Sequence, residues 1–465
     1  MSQLQEFLKK INSHKSNKYI DYDDSRFTYD EVIDKSYALA RFIESYNCKK
    51  IFFNLKNSPL SICLYMASLI ADIDFSIPIN PRLVDNELVK ILEPDSIFFT
   101  YKKTKLLDKF ASKNNIKILE LPDEVSFLKA LNKPQNFSIH NKCQIAHISS
   151  GTTGFYKKHY HSIDQIINYA TKQTYNLGLV KEDHLLIALS VNHAYAFSYQ
   201  LLPALELGLN ITFVKEFCPE NVLKIINSFN VSALALLPSM YYLLELDKID
   251  TNNLRYVSVA GDMISEDLQK KITNELQLPL LTGIGMTEVF GYGQNTVLEE
   301  ANTIKVFPDT DIKIKKFDGV DYGKIFIKNE MLPLGSCQDW FETGDVGSFN
   351  EATHQLRFYG RYKDIIIKGG SNIAPKEIET IILKIDGIND CVVVGKTDKI
   401  WGELLCCFLI TDNTKYTLES INDHLANYLA KYKKIDHIVK IDRIPLTSTG
   451  KINREHLKEI ANELK

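Results

Sequence analysis

Cysteine, tryptophan and methionine are scarce in this chain of 465 residues, with eight, two and six copies. The cysteines are scattered, and none falls at the paired spacing of a zinc site. Cys406 and Cys407 lie inside an apolar run, so buried reduced thiols are expected. That excludes a disulfide-stapled scaffold and points to a cytoplasmic setting. An excess of one charge is also missing. The 55 Lys and Arg against 58 Asp and Glu leave a formal net charge of -3. Nucleic-acid binding as the main task would call for a basic surplus. Long hydrophobic runs are absent too. The most apolar stretches, residues 185–191 and 391–394, are strand-sized, so no stable membrane insertion is expected. Met1-Ser2-Gln3-Leu4-Gln5 is not a basic start leading into an apolar stretch, so no signal peptide is expected. No internal repeat or low-complexity linker interrupts the chain.

What is present is a long chain rich in core-forming residues, including 24 Phe and 23 Tyr. A chain of this length exceeds one ordinary core, so at least two domains are expected. Strand-like runs at 50–55, 76–79, 96–100 and 118–121 alternate with helix-like periods such as 60–70. Such interleaving predicts an α/β architecture of helix-covered parallel sheets. Past about residue 300, segments 310–316 and 324–328 alternate more strictly and predict a smaller antiparallel, barrel-like β unit. A compact α+β piece is expected from Arg361, with helices at 375–385 and 418–431 and strands at 391–395 and 406–411. The expected division is therefore a large N-terminal domain over 1–360 and a small C-terminal domain over 361–465.

The run Ser149-Ser150-Gly151-Thr152-Thr153-Gly154 follows the apolar strand 144–148 and places four hydroxyls and two glycines in six residues. Glycine lets a backbone approach a ligand closely, and successive amides with hydroxyls can ring a polyphosphate. Lys157 adds a positive charge nearby. By itself such a run also suits a polar surface loop. It is not a Walker A loop, because Gly-x-x-x-x-Gly-Lys-Ser/Thr is not met.

This run resembles the signature loop of the adenylate-forming superfamily, which includes acyl-CoA synthetases, aryl-CoA ligases, luciferases and the adenylation domains of nonribosomal peptide synthetases. Tyr156 and Lys158 stand where that family usually has Pro and Gly. Further blocks resemble the family in the same order: 26–32, 79–83, Thr282 to Glu288, Trp340 to Asp345, 360–379, 394–403 and 445–454. Ile284 replaces the family's usual Tyr, a pattern similar to benzoate and medium-chain acyl-CoA ligases. The resemblance covers about residues 20 to 460.

The resemblance implies ATP- and Mg²⁺-dependent activation of a carboxylic acid as an acyl-adenylate, then transfer to a thiol. Ser149, Ser150, Gly151, Thr152, Thr153, Gly154 and Lys157 would hold the phosphates, with Thr287. Glu288 would hold Mg²⁺, since a hard cation prefers carboxylate oxygen. Alone, Glu288 would more often be a helix N-terminal glutamate, since acidic groups suit that position. Asp345 would grip the ribose hydroxyls and Arg361 the nucleotide, backed by Gly261, Gly283, Ile284 and Gly285. Lys451 would bridge the attacking carboxylate and the α-phosphate. Lys363 would be the hinge of a mobile C-terminal domain, and Gly369 and Gly370 would line the thiol tunnel.

His193, Tyr195, Ala260, Val289 and Phe290 would wall the acyl pocket, with His193 counted among the catalytic residues beside Lys451, Thr287 and Glu288. No Asp or Glu occurs between Leu189 and Ala204. A buried ammonium needs a paired anion, so amino-acid substrates are disfavoured. An aryl or short-to-medium acyl acid is expected. The acceptor is coenzyme A or the phosphopantetheine of a separate carrier protein, which share one pantetheine arm, with coenzyme A favoured. A non-catalytic nucleotide-binding relic is the competing reading, and a thiol-independent adenylating enzyme a third. The identity of the acid and the oligomeric state stay open.

Overall fold

The computed structural model describes residues 2–14, 18–22, 25–132, 137–150, 156–261, 264, 266–295, 303–336, 339–411, 416–446 and 452–464. The chain divides into two compact units, 1–301 with 329–337, and 302–328 with 338–465.

The first unit contains strands β1 (Tyr19–Tyr22), β2 (Ser25–Thr28), β3 (Lys50–Phe53), β4 (Phe75–Pro78), β5 (Ser96–Thr100), β6 (Ile116–Glu120), β7 (Gln144–Ser150), β8 (Tyr156–Ser162), β9 (His184–Ile187), β10 (Asn210–Phe213), β11 (Ala233–Leu236), β12 (Tyr256–Val259), β13 (Leu280–Met286) and β14 (Phe290–Asn295). One sheet has the order β6-β5-β3-β4-β7-β8, parallel except for the β7–β8 edge hairpin. The other runs β14-β13-β12-β11-β9-β10-β1-β2, parallel between β13 and β1 with an antiparallel strand at each end. The expected helix-covered parallel sheets are therefore present.

Local sequence explains the covering helices. Pro59–Ile70 starts on a Ser58 cap with Pro59 in its first turn. Every one of its residues is buried, as a helix apolar all round must be. Tyr29–Glu44 and Ile163–Asn176 both begin in capping boxes, Thr28 with Glu31 and Ser162 with Gln165. Two buried asparagines brace the two sheets. Asn57 Nδ2 donates to the carbonyls of Ile187, Leu189 and Val214, and Asn192 Nδ2 to those of Leu55 and Ile79. The apolar run 185–191 thus ends as a strand at Ile187, and its remainder is a turn held by side chains.

The second unit adds β15 (Thr303–Val306), β16 (Asp311–Lys316), β17 (Gly323–Lys328), β18 (Phe341–Asn350), β19 (Gln355–Arg361), β20 (Ile366–Lys368), β21 (Ser371–Ile373), β22 (Asp390–Asp398), β23 (Gly402–Ile410) and β24 (His437–Lys440). Strands β16-β17-β18-β19-β15 form an antiparallel sheet in that order. Strands β21-β20-β23-β22, with β24 beside β23, carry apolar clusters on both faces, one including Ile378, Ile382 and Ile421, the other Leu457 and Ala461. The helix Arg454–Glu463 is tied down by the Arg454 guanidinium on buried Glu379, at 2.8 Å. Burial raises the Glu379 carboxyl, but the charges of Arg454 and Lys376 outweigh it and hold the group below its usual range. Residue 361, the expected domain start, is the last residue of β19. Tyr322, Val346 and Tyr359 before it share one apolar cluster with Ile365 and Ala374 after it.

Candidate active site

Strand β8 brings together Ser149, expected to bind phosphate, and Glu288, expected to bind Mg²⁺. Successive residues of a strand point to opposite faces. On one face, His159 Nε2 lies 2.8 Å from Ser149 Oγ and 3.2 Å from Glu288 Oε1. His161 Nε2, two residues on, lies 2.9 Å from the Glu288 carbonyl oxygen and 3.0 Å from that of Met331. Burial pushes His159 below the ordinary imidazole value against the pull of Glu288, and pushes His161 down to about 4. Both rings are therefore neutral near pH 7.

On the other face, the residues that replace the family's Pro and Gly are anchored. Tyr156 donates its hydroxyl to Glu87 Oε1 at 2.7 Å. Lys158 Nζ reaches Glu93 Oε1 at 2.5 Å and the Ile91 carbonyl at 2.8 Å, and sits 5.1 Å from the Phe52 ring centre. Tyr160 packs edge-on against Phe75.

Thr287, Glu288 and Val289 form the tight turn between β13 and β14, not a helix N-terminus. The turn closes through Phe290 at φ 56°, a left-handed backbone that a bulky side chain adopts only under strong constraint. That constraint is packing: the Phe290 ring is buried among His147, His161, Tyr169 and Phe197. Gly285 is required here as well, because a Cβ would lie 2.7 Å from the Phe290 carbonyl oxygen. Val289 and Phe290, expected in the acyl wall, are fully buried at the base of this turn. His147 is buried with both ring nitrogens unpartnered, and burial drives its pKa well below the usual value.

The expected acyl-wall residues Ala260, Gly261 and Tyr195 do converge. A Cβ on Gly283 would meet Ala260 Cβ at 3.5 Å and the Tyr199 ring at 3.6 Å, and one on Gly261 would meet Leu237 at 2.8 Å and Tyr195 at 3.9 Å. Behind them runs a neutral chain of hydroxyls. Tyr195 Oη is 3.5 Å from Ser258 Oγ, Ser258 donates to Tyr199 Oη at 3.2 Å, and Tyr199 donates to Gln294 Oε1 at 3.4 Å. Burial pushes both tyrosine hydroxyls above their ordinary value. His193 is exposed just before the short helix Ala194–Ala196. Ile284 lies in β13, where the register to β14 shifts.

In the second unit, Asp345 and Arg361 face each other across the β18–β19 ladder, with Arg361 Nε 3.1 Å from Asp345 Oδ1. The Arg361 guanidinium also donates to the Thr343 carbonyl at 3.1 Å. Lys363 occupies the 3₁₀ turn Tyr362–Asp364, 3.8 Å from Glu455. Gly369 and Gly370 form the two-residue turn between β20 and β21 with φ of 57° and 80°, values that favour glycine for turn geometry alone. Gly151, Thr152, Thr153, Gly154, Lys451 and the Ser150 side chain lie outside the described residues. Lys157 is exposed on β8, paired in register with Ser149.

Among the described residues no group of three or more His, Cys, Asp or Glu could hold a metal unaided. That fits Mg²⁺, which takes one or two carboxylates and completes its shell with water and substrate phosphates. Glu288, with a side chain 14% exposed, would be the carboxylate to hold it. Sequence reasoning missed His159, His161, Tyr199, Ser258 and Gln294. The two histidines carry a weak signal, polar residues two apart on a predicted hairpin strand. Their partner Glu288 is 127 residues beyond His161 and can be identified only from the fold.

Known proteins resemble this chain in sequence and in fold. The AMP-binding enzyme family matches over residues 7–332 and the AMP-binding enzyme C-terminal domain over 377–451. The 2-succinylbenzoate–CoA ligase of Lactococcus lactis subsp. lactis is 32% identical over 323 residues, 67% of this chain and 69% of that protein. The enzyme of the same name from Staphylococcus epidermidis is 26% identical and covers 93% of this chain and 92% of its own. Among solved structures, ATP-bound MatB from Rhodopseudomonas palustris superposes with a TM-score of 0.87 at 19% identity, covering 100% and 99% of the two chains. The o-succinylbenzoate CoA synthetase of Bacillus subtilis, in complex with its acyl-adenylate intermediate, superposes at 0.80 with 20% identity and 97% of both chains. The chain belongs to the AMP-binding enzyme family and is an acid–thiol ligase of the adenylate-forming type.

Proposed function

We propose that this chain activates an aryl carboxylic acid, with 2-succinylbenzoate as the leading candidate, and passes the acyl group to coenzyme A. The observation that carries the choice of acid is the similarity to 2-succinylbenzoate–CoA ligases, and the small residues Ala260, Gly261 and Gly283 lie beside the rings of Tyr195 and Tyr199. Small residues beside aromatic rings suit a flat aryl group. The curated relatives act, by their names, on an aryl acid and coenzyme A.

The proposed first step joins the acid carboxylate to the α-phosphorus of ATP with loss of pyrophosphate. Ser149, Ser150, Thr152, Thr153, Thr287 and Lys157 donate to phosphate oxygens, and Asp345 accepts from the ribose hydroxyls, with Arg361 beside it. Lys451 holds the attacking carboxylate against the α-phosphate. Mg²⁺, carried by Glu288, neutralises phosphate charge when bound. This is catalysis by positioning and preorganised charge. In the second step the thiol attacks the mixed anhydride and AMP leaves. Lys363 serves as the hinge, and Gly369 with Gly370 as the passage for the pantetheine arm. A cytoplasmic setting accords with seven free cysteines and the absence of a membrane-crossing helix, both among the described residues.

The test is pyrophosphate exchange into ATP across a panel of 2-succinylbenzoate, benzoates, short, medium and long acyl acids, and amino acids. Exchange that depends on an aryl acid supports the reading. Exchange with amino acids alone, or with none while ATP binds, contradicts it. Thioester formed on a carrier protein but not on coenzyme A would replace the acceptor.

A further inference from the structure

Two distances from one ring nitrogen of His159 decide which atom carries its proton. Nε2 is 2.8 Å from Ser149 Oγ and 3.2 Å from Glu288 Oε1. An ionised carboxylate has only acceptor sites. A bare Nε2 would set lone pair against lone pair, so Glu288 assigns the proton to Nε2. That N–H is shared by the serine and the carboxylate. The Ser149 hydroxyl then accepts from the imidazole, and its own proton is left to donate away from the ring. Glu288 Oε1 is engaged, and Oε2 is left for a cation.

His161 completes the mount. Its Nε2 meets the carbonyls of Glu288 and Met331, both acceptors, so this ring too carries its proton on Nε2. Alternate residues of one strand thus hold Glu288 by both its side chain and its main chain. Glu288 sits on a turn, and the phosphate-region hydroxyl of Ser149 sits at the end of β7. His159, whose side chain is 12% exposed, is the group that touches both.

We propose that His159 is a positioning residue that fixes the Glu288 carboxylate for Mg²⁺ and turns the Ser149 hydroxyl proton toward the phosphates of ATP. The role rests on the reading that this chain binds Mg–ATP. It differs from a packing role in one respect: it needs an N–H at the Nε2 position. Glutamine places an amide N–H there, whereas alanine and valine place none.

The experiment is calorimetric titration of the full chain with ATP, without any acid, over a series of Mg²⁺ concentrations and in EDTA. Wild type, His159→Ala and His159→Gln are compared, with thermal melting as the check on folding. In His159→Ala the Mg²⁺ concentration for half-maximal gain in ATP affinity should rise about 10–100-fold, as for other residues that orient a metal ligand. His159→Gln should return close to the wild-type midpoint. Should the alanine variant not fold, His159→Val, better suited to a strand, is read in the same way. A wild-type Mg²⁺ midpoint in the alanine or valine variant overturns the proposal. So does a glutamine variant as impaired as alanine, which would make the imidazole only a space-filler. Wild-type affinity for ATP that ignores Mg²⁺ would instead overturn the Mg–ATP reading, and the positioning role with it.

Discussion

The two faces of β8 do opposite work with residues that alternate along seven positions. One face presents Lys157, His159 and His161, two of them neutral imidazoles aimed at Ser149 and Glu288. The other presents Tyr156, Lys158 and Tyr160, which bolt the strand to Glu87, Glu93 and Phe75. The difference separates positioning from attachment. Neutral donors orient a carboxylate without neutralising it, so its charge stays available to a cation. Full ion pairs hold a strand in place, and their charges are spent on each other. In a loop lacking the family's Pro and Gly, this second face supplies attachment through side chains.

The largest expected effect comes from breaking the first face at its centre. Glu288→Gln keeps the shape and removes the charge, and it should slow acid adenylation by about 10²–10³-fold, the scale for losing one preorganised electrostatic group. Melting should stay near wild type. Unchanged exchange kinetics would remove Glu288 from the site.

Breaking the second face should move stability instead. Lys158→Met keeps the length of the side chain and removes the ammonium that sits 5.1 Å from the Phe52 ring centre, leaving Glu93 with Lys50 alone. The expected loss is about 1–3 kcal/mol in denaturant unfolding, with a far smaller change in rate. A large rate loss at unchanged stability would erase the distinction between the faces.

The same face should show a pH signature. Burial raises the Glu93 carboxyl, but Lys158 and Lys50 outweigh it, so the folded value lies below the usual one. Its contribution is therefore complete above the unfolded value of about 4.3 and is lost as pH falls through the folded value. The stability gap between wild type and Glu93→Gln should be flat from neutral pH upward and close on acidification. A gap that widens in acid would reverse the sign. The smallest effect is expected from Tyr156→Phe, which deletes the hydroxyl on Glu87: less than about 1 kcal/mol, since the pair is largely solvated. A larger cost in urea unfolding would make this contact the main anchor.

Much of this was legible in the sequence, and the failures have physical causes. Period-two alternation and apolar runs set the strand positions. Asp345 and Arg361 were each read from a motif block, but their pairing appears only in the β18–β19 ladder. Glu288 was readable as a site residue, but its place on a hairpin turn depends on Phe290 accepting a left-handed backbone, which only burial among four rings explains. Gly369 and Gly370 were read for a tunnel, while their positive φ values give the turn its own need for glycine. The expected break at residue 361 followed motif order. Compactness follows apolar contact instead, and Tyr322, Val346 and Tyr359 share a cluster with Ile365 and Ala374. No local pattern announces such a long-range choice.

The most direct test of the central claim is mass spectrometry of the products formed from ATP, Mg²⁺, coenzyme A and 2-succinylbenzoate. The account predicts an acyl-CoA thioester in equal amount to AMP, with pyrophosphate as the other product. ADP and phosphate in place of AMP, or no thioester from this or any other aryl acid, would contradict it.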